Sequence, residues 1–205
     1  MTSGHTRPII AVDMDEVIAD ALAEHLLRYN RDFPAPTPLT LSDLHGRWLW
    51  DAVPPSRLSA LEAYMRSDDF FRVLPVMPHA PRVLARLQSR YDVFIASAAM
   101  EVPTSFTAKF HWLAEHFPFI PTSHIVFCGD KSILRADFLI DDNPRQLRLF
   151  ESSNHPSTPS PNSPTAPYTE APRREGILFT SPANVNVTGF RRVNNWLDVE
   201  SLFLP

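Results

Sequence analysis

An α/β fold is predicted for this 205-residue chain: a Rossmann-like parallel sheet of about five strands with helices on both faces, and a small helical cap inserted after the first strand. Three observations predict it. The run Ile9-Ile10-Ala11-Val12 is apolar throughout and stops abruptly at Asp13-Met14-Asp15; an unbroken apolar run suits a strand covered on both faces, as parallel sheets are. From Pro78 onward, short apolar runs alternate with segments of helical spacing, the pattern of repeated β-α units. Between these two regions, residues 18–75 carry helical patterns only.

The elements follow in order. Asp20 to Phe33 places Leu22, His25, Leu26 and Tyr29 at helical spacing, with Asp20 as N-cap. Prolines 34, 36 and 38 end that helix; Ser42 to Val53 reads as a helical piece opening at Ser42, and Pro55 to Arg66 as another with Leu58, Leu61, Tyr64 and Met65 on one face. Then come helix 79–90, strand 92–97, helix 105–117, strands 125–129 and 137–141, helix 144–150, strand 176–180 and a closing helix 193–203. The domain organisation expected is a catalytic core of 1–17 and 76–205, a cap of 18–75, and a Pro/Ser/Thr-rich insertion of 151–175 within the core. That insertion has six prolines and almost nothing large and apolar, so burial cannot offset its ordering entropy and an extended or mobile surface segment is expected.

Composition excludes several function classes. The net charge of −4 offers no basic face for a nucleic-acid polymer. The five glycines form neither a Walker loop nor a dinucleotide fingerprint, and the eight histidines show no zinc-protease spacing. No apolar run approaches the ~18 residues that span a bilayer. One cysteine, Cys128, and a polar amino terminus without an apolar signal core suit a reducing, cytoplasmic setting. Arginine supplies 17 of the 19 basic residues, so Lys109 and Lys131 stand out as retained point charges.

The chemistry gathers at strand ends. Side chains at i and i+2 of a strand point the same way, so Asp13 and Asp15 share one side. Ligands of open parallel sheets sit beyond the carboxyl ends of the strands. Ser97 ends the strand 92–97, Asp130-Lys131 follows Gly129, and Asp141-Asp142 ends the strand 137–141. Four strand ends that together supply carboxylates, a hydroxyl and an amine are a coherent set.

In that order, Asp13-Met14-Asp15-Glu16-Val17, Ser97, Lys131 and Asp141-Asp142 resemble the four motifs of haloacid-dehalogenase-like hydrolases. Within that superfamily the chain is most similar to 5′(3′)-deoxyribonucleotidases and their bacterial relatives. The segments Asp69 to Pro75, Ile95-Ala96-Ser97-Ala98, Leu139-Ile140-Asp141-Asp142 and Arg192 to Trp196 carry the likeness. The resemblance implies a Mg²⁺-dependent phosphatase acting on a nucleoside monophosphate. Asp13 would be the nucleophile and Asp15 the acid and base, crowded by other carboxylates so that it keeps a proton to donate. Ser97 and Lys131 would meet the phosphoryl oxygens, Ser97 with help from main-chain N–H groups at a helix start. Asp13, the main-chain carbonyl of Asp15, and Asp142 would hold the ion, with Asp141 beside them. The structural alternative for Lys131 is an ion pair with Asp141 or Asp142. Ala98 falls in the substrate region, and Phe71 and Trp48 are candidates for contacting the base from the cap.

The sequence departs from the family pattern at three places. Glu16 stands where many relatives have glycine, Ala98 where a hydroxyl residue often follows the second motif, and Gly129 where mammalian-type enzymes have arginine. These changes bear on substrate recognition more than on the reaction. Two rival readings stay open: the same chemistry on another small phosphomonoester such as a sugar phosphate, and a catalytically silent nucleotide-binding or scaffold protein that finds partners through its proline-rich segment. Formation of a homodimer is also left open.

Overall fold

The computed structural model describes residues 7–153 and 174–205. One all-parallel sheet contains β1 (Ile9–Val12), β2 (Asp92–Ser97), β3 (Ile125–Phe127), β4 (Phe138–Asp141), β5 (Glu175–Phe179) and β6 (Arg191–Val193), in the spatial order β3-β2-β1-β4-β5-β6. That is the doubly wound order, with β1 at the point where the direction of strand addition reverses. Val12 lies opposite Ile95 of β2 and Ile140 of β4, so three strands end level with one another around Asp13.

The period of two along β1 and β4 sorts the core into two layers. Ile10, Val12 and Ile140 pack with buried residues of α4 (Ala80–Leu87), α5 (Ser105–His116) and α7 (Trp196–Phe203); Ala11 and Leu139 pack with Leu147 and Phe150 of α6 (Pro144–Ser152). Both faces of the central strand are covered, which is why its sequence shows no polar alternation.

The sheet has six strands rather than about five. Arg191-Arg192-Val193 pairs along the edge of β5, where one side needs no apolar cover, so hydrophobic pattern does not reveal it. The closing helix consequently starts at Trp196, capped by Asn195, whose side chain accepts from the N–H groups of Leu197 and Asp198.

Residues 18–75 leave and re-enter the core through a two-stranded stem. Asp20 N–H donates to Pro75 O at 2.8 Å and Met77 N–H to Ile18 O at 2.9 Å. Above it stand α1 (Ala21–Asp32), α2 (Leu49–Ala52) and α3 (Leu58–Arg66). Asp20 caps α1 by accepting from Ala23 N–H. The segment Ser42 to Val53 is not one helix. A 3-10 turn at Leu41–Leu44 starts after Thr40, and Gly46, at φ +76°, separates it from α2. Arg28 fastens α1 to the approach of the next turn, reaching Glu24, Ser67 and Asp69, and its guanidinium lies 5.3 Å from the Phe70 ring centre.

Most of the expected insertion, residues 154–173, lies outside the described residues. Its expected bounds overlap regular structure at both ends, because α6 runs to Ser152 and β5 begins at Glu175.

Candidate active site

The loop after β1 is folded back on itself: Met14 O accepts from the N–H groups of Ile18 and Ala19, each at 2.9 Å. Glu16 within it sits at φ 60°, the left-handed region that glycine enters without cost and a branched-free L residue only with compensation. The compensation is visible. Its carboxylate accepts from Leu22 N–H at 2.7 Å, satisfying an open donor of α1.

Asp13, Asp141 and Asp142 are all buried, and one oxygen from each lies within 4.8 Å of the others. Lys131 reaches into this group from a 3-10 turn after β3, its Nζ 2.5 Å from Asp13 Oδ1 and 2.6 Å from Asp141 Oδ2. Lys131 therefore pairs with Asp13 and Asp141, not with Asp142. Asp141 is saturated by Lys131 and by the N–H of Asn143 at 2.8 Å. Asp142 Oδ2 is buried with no hydrogen-bond partner.

Three carboxylates against one ammonium leave two negative charges uncompensated in a buried site. The electrostatics register this. Burial, with Asp141 and Asp15 adding to it against the pull of Lys131, pushes the Asp13 carboxyl up to about 7. Burial, then Asp141 and Asp13, raises Asp142 well above the usual carboxylate range. Glu16 is raised too, by burial first and by Asp142 next. Burial alone would lower Lys131, but Asp13 and Asp141 outweigh it and hold the ammonium charged. A hard divalent cation fits this donor set: it would supply two positive charges and engage the unpartnered oxygen of Asp142.

Sequence reasoning set Lys109 aside as a retained lysine, and the structure brings it into the site. From α5 its ammonium donates to Asp15 Oδ2 and, at 3.0 Å, to Ser97 Oγ, and it lies 4.6 Å from the ring centre of Phe71. Asp15 is thus paired with a cation rather than crowded by acids alone, and the partner seen on Ser97 Oγ is Lys109. The available signal was the scarcity of lysine; nothing in local spacing linked position 109 to position 15. Gln146 was also missed. Its side chain accepts from Lys131 N–H at 3.3 Å and donates to Gly129 O at 2.8 Å, tying α6 to the lysine-bearing turn.

A cavity of about 290 Å³ opens over these groups, lined by Asp13, Asp15, Lys109 and Lys131 of the core and by His25, Trp50 and Phe70 of the inserted block. Phe71 and Ala98 line it. Trp48 also lines it but stands at its mouth, 46% exposed. At Gly129 an added Cβ would come within 3.3 Å of Met100 Sδ, so an arginine there would require Met100 to move.

The doubly wound sheet carries its acid cluster at the ends of its central strands. In fold the chain is similar to a haloacid dehalogenase-like hydrolase from Streptococcus pneumoniae, with a TM-score of 0.57 at 12% identity over 96% of this chain and 98% of that one. Residues 7–205 match the family model described as 5′ nucleotidase, deoxy (pyrimidine), cytosolic type C protein. A Staphylococcus aureus (strain Mu50) protein provisionally named a 5′(3′)-deoxyribonucleotidase is 44% identical over 199 residues, covering 97% of each chain. The Bacillus subtilis (strain 168) 5′(3′)-deoxyribonucleotidase is 34% identical, covering 97% of this chain and 99% of its own. The chain belongs to the 5′(3′)-deoxyribonucleotidase family, and its class is phosphoric monoester hydrolase of the 5′-nucleotidase type. Among the described residues no helix is long and apolar enough to cross a membrane.

Proposed function

We propose that this chain hydrolyses 2′-deoxyribonucleoside monophosphates through a phosphoaspartyl intermediate on Asp13, with Mg²⁺ as cofactor. The observation that carries the reading is the convergence of Asp13, Asp15, Lys131 and Asp142 on one cavity, with Ser97, fully buried and outside the cavity lining, joined to Asp15 through Lys109. Asp13, Asp142 and the main-chain carbonyl of Asp15 would hold the ion, Asp141 being already committed to Lys131 and Asn143. When bound, the ion would offset the repulsion between a carboxylate nucleophile and a phosphate dianion.

The protein's own groups divide the remaining work. An oxygen of Asp13 attacks phosphorus; the ester P–O bond breaks and the leaving oxygen takes the proton that Asp15, paired with Lys109 in the free protein, acquires as the phosphate dianion binds beside it. Asp15 then removes a proton from water as that water attacks the phosphoaspartate, releasing inorganic phosphate and restoring Asp13. Lys131 and Ser97 hold the phosphoryl oxygens, fixing them for in-line displacement. Lys109 fixes the direction of Asp15 and gives the phosphate end a second positive charge. Residues 18–75 act as a cap whose aromatic side chains cover the nucleoside, with Phe71 beside the reacting end, Ala98 in the substrate region and Trp48 at the entrance.

The test is phosphate release from a panel of deoxyribonucleoside 5′- and 3′-monophosphates, ribonucleotides and sugar phosphates, with Mg²⁺ or with EDTA. Preference for deoxyribonucleotides, lost in EDTA and in Asp13→Asn, is expected. Faster turnover of the sugar phosphates would replace the substrate, and undiminished turnover by Asp13→Asn would overturn the mechanism.

A further inference from the structure

Among the described residues, His25 is a buried polar group that the reaction leaves unused. It lies on α1, a helical turn beyond the N-cap, is 4% exposed and lines the same cavity as Asp15 and Lys131. Aromatic rings surround it: Phe70 at 4.6 Å between ring centres, Trp50 at 5.2 Å edge-on, and Tyr64 at 6.5 Å. Its Nδ1 is buried and has no hydrogen-bond partner. Burial lowers the imidazole to about 4, so near neutrality the ring is uncharged and offers one N–H and one lone pair.

An imidazole serving only to fill a core would be as well replaced by phenylalanine, which leaves no polar atom unpaired. Here the polar ring, among aromatic side chains, lines the same cavity as the groups proposed to meet phosphate. That combination, aromatic side chains beside an imidazole edge that carries one donor and one acceptor, is complementary to a planar heteroaromatic ligand.

We propose that His25 is a specificity-determining residue, hydrogen-bonding a heteroatom on the edge of the substrate's nucleobase while Trp50 and Phe70 pack against the base. The inference rests on the nucleotide reading above and adds to it the residue that distinguishes a base-bearing phosphomonoester from one without a base. A ring nitrogen built for such a bond discriminates strongly, because a ligand lacking the partner leaves it unpaired.

The experiment compares wild type, His25→Phe and His25→Gln on deoxyribonucleoside 5′-monophosphates and on 2-deoxyribose 5-phosphate, which carries the same phosphoester and no base. Expected is a loss of about 10- to 100-fold in kcat/KM for the nucleotides in His25→Phe, mostly through KM, with little change on 2-deoxyribose 5-phosphate and partial recovery in His25→Gln. Equal losses on both substrates, or none, would overturn the inference. A wild type that prefers nucleotides while His25→Phe behaves identically defeats this inference alone; a wild type indifferent to the base defeats the nucleotide reading and this inference with it. Should the phenylalanine variant fail to fold, ¹⁵N resonances of His25 in the wild-type protein decide. Addition of 2′-deoxyuridine or 2′-deoxyadenosine is expected to shift them, and no shift with either nucleoside overturns the proposal.

Discussion

Lys109 and Asp15, 94 positions apart, form an ion pair, and the same ammonium donates to Ser97 Oγ at 3.0 Å. One buried lysine thereby fixes both the group proposed to move protons and the hydroxyl proposed to hold phosphate. Lys109→Met, which keeps the stem and removes the charge, is expected to lower kcat by about 100-fold, the lower end of what a positioned acid–base group contributes. Steady-state kinetics check it; a Lys109→Met enzyme with unaltered kcat would sever Lys109 from the reaction.

The division of labour between Asp13 and Asp15 predicts different defects. Asp13→Asn has no nucleophile and is expected to release no phosphate above background. In Asp15→Asn, a substrate with a good leaving group, para-nitrophenyl phosphate, needs no proton donor to form the intermediate but still needs a base to break it down. A stoichiometric burst of nitrophenol followed by slow turnover is the expected trace, and acid-quenched enzyme is expected to carry labelled phosphate. A burst-free Asp15→Asn trace with normal turnover would contradict the assignment.

Binding of Mg²⁺ must compete with the proton that Asp13 retains up to about 7. Asp142, raised as well, must also give up its proton, so affinity is expected to weaken by at least about tenfold per pH unit from pH 7 down to 5. Calorimetric titration across that range tests the slope. In Asp142→Asn, which removes a carboxylate raised by burial and by its acidic neighbours, the Mg²⁺-free protein is expected to melt at a higher temperature and to gain little when Mg²⁺ is added.

His25 also sets a pH dependence of stability. Its imidazole has an ordinary value of 6.5 and, through burial, about 4 when folded. Between those values the unfolded chain binds a proton that the folded chain refuses, so the stability present above pH 6.5 is lost as the pH falls towards 4. The loss amounts to about 3 kcal/mol. Denaturant melts at pH 7.5, 5.5 and 4.5 are expected to show a shallower decline for His25→Phe than for wild type; parallel curves would exclude His25 as the source.

Trp196 explains part of the Arg192-to-Trp196 segment. Its indole is fully buried, and Nε1–H donates to Val17 O at 2.7 Å, pinning the loop that carries Asp15 and Glu16 to the first turn of α7. Trp196→Phe deletes the donor and leaves a buried carbonyl unpaired, and is expected to cost about 1–3 kcal/mol. Chemical denaturation measures it, and a wild-type stability would show that the bond contributes nothing net.

Local pattern was informative wherever both neighbours of a residue in space are also set by its own element. β1, β2 and β4 are buried on both faces, so their sequences are unbroken apolar runs, and the residues ending them, Asp13, Ser97 and Asp141, are placed by the strand itself. Asp20 was readable as a cap because capping spans three residues. Edge strand β6 was not, since one flank of Arg191–Val193 faces no apolar layer, and Gly46 broke an expected helix by taking a left-handed backbone that hydrophobic spacing does not report.

The amino-acid sequence alone determined the parallel α/β architecture, the inserted helical block, and the acids, hydroxyl and lysine at the strand ends, because each depends on periodicity and short-range order. Only the tertiary structure decided which charges meet. Lys131 chose Asp13 and Asp141 over Asp142, Lys109 arrived at Asp15 from a helix on another β-α unit, and His25 came to line the cavity with an unpaired nitrogen. The physical reason is that pairing energies act over a few ångströms between groups far apart along the chain, so they are fixed by how layers pack and leave no trace in local spacing.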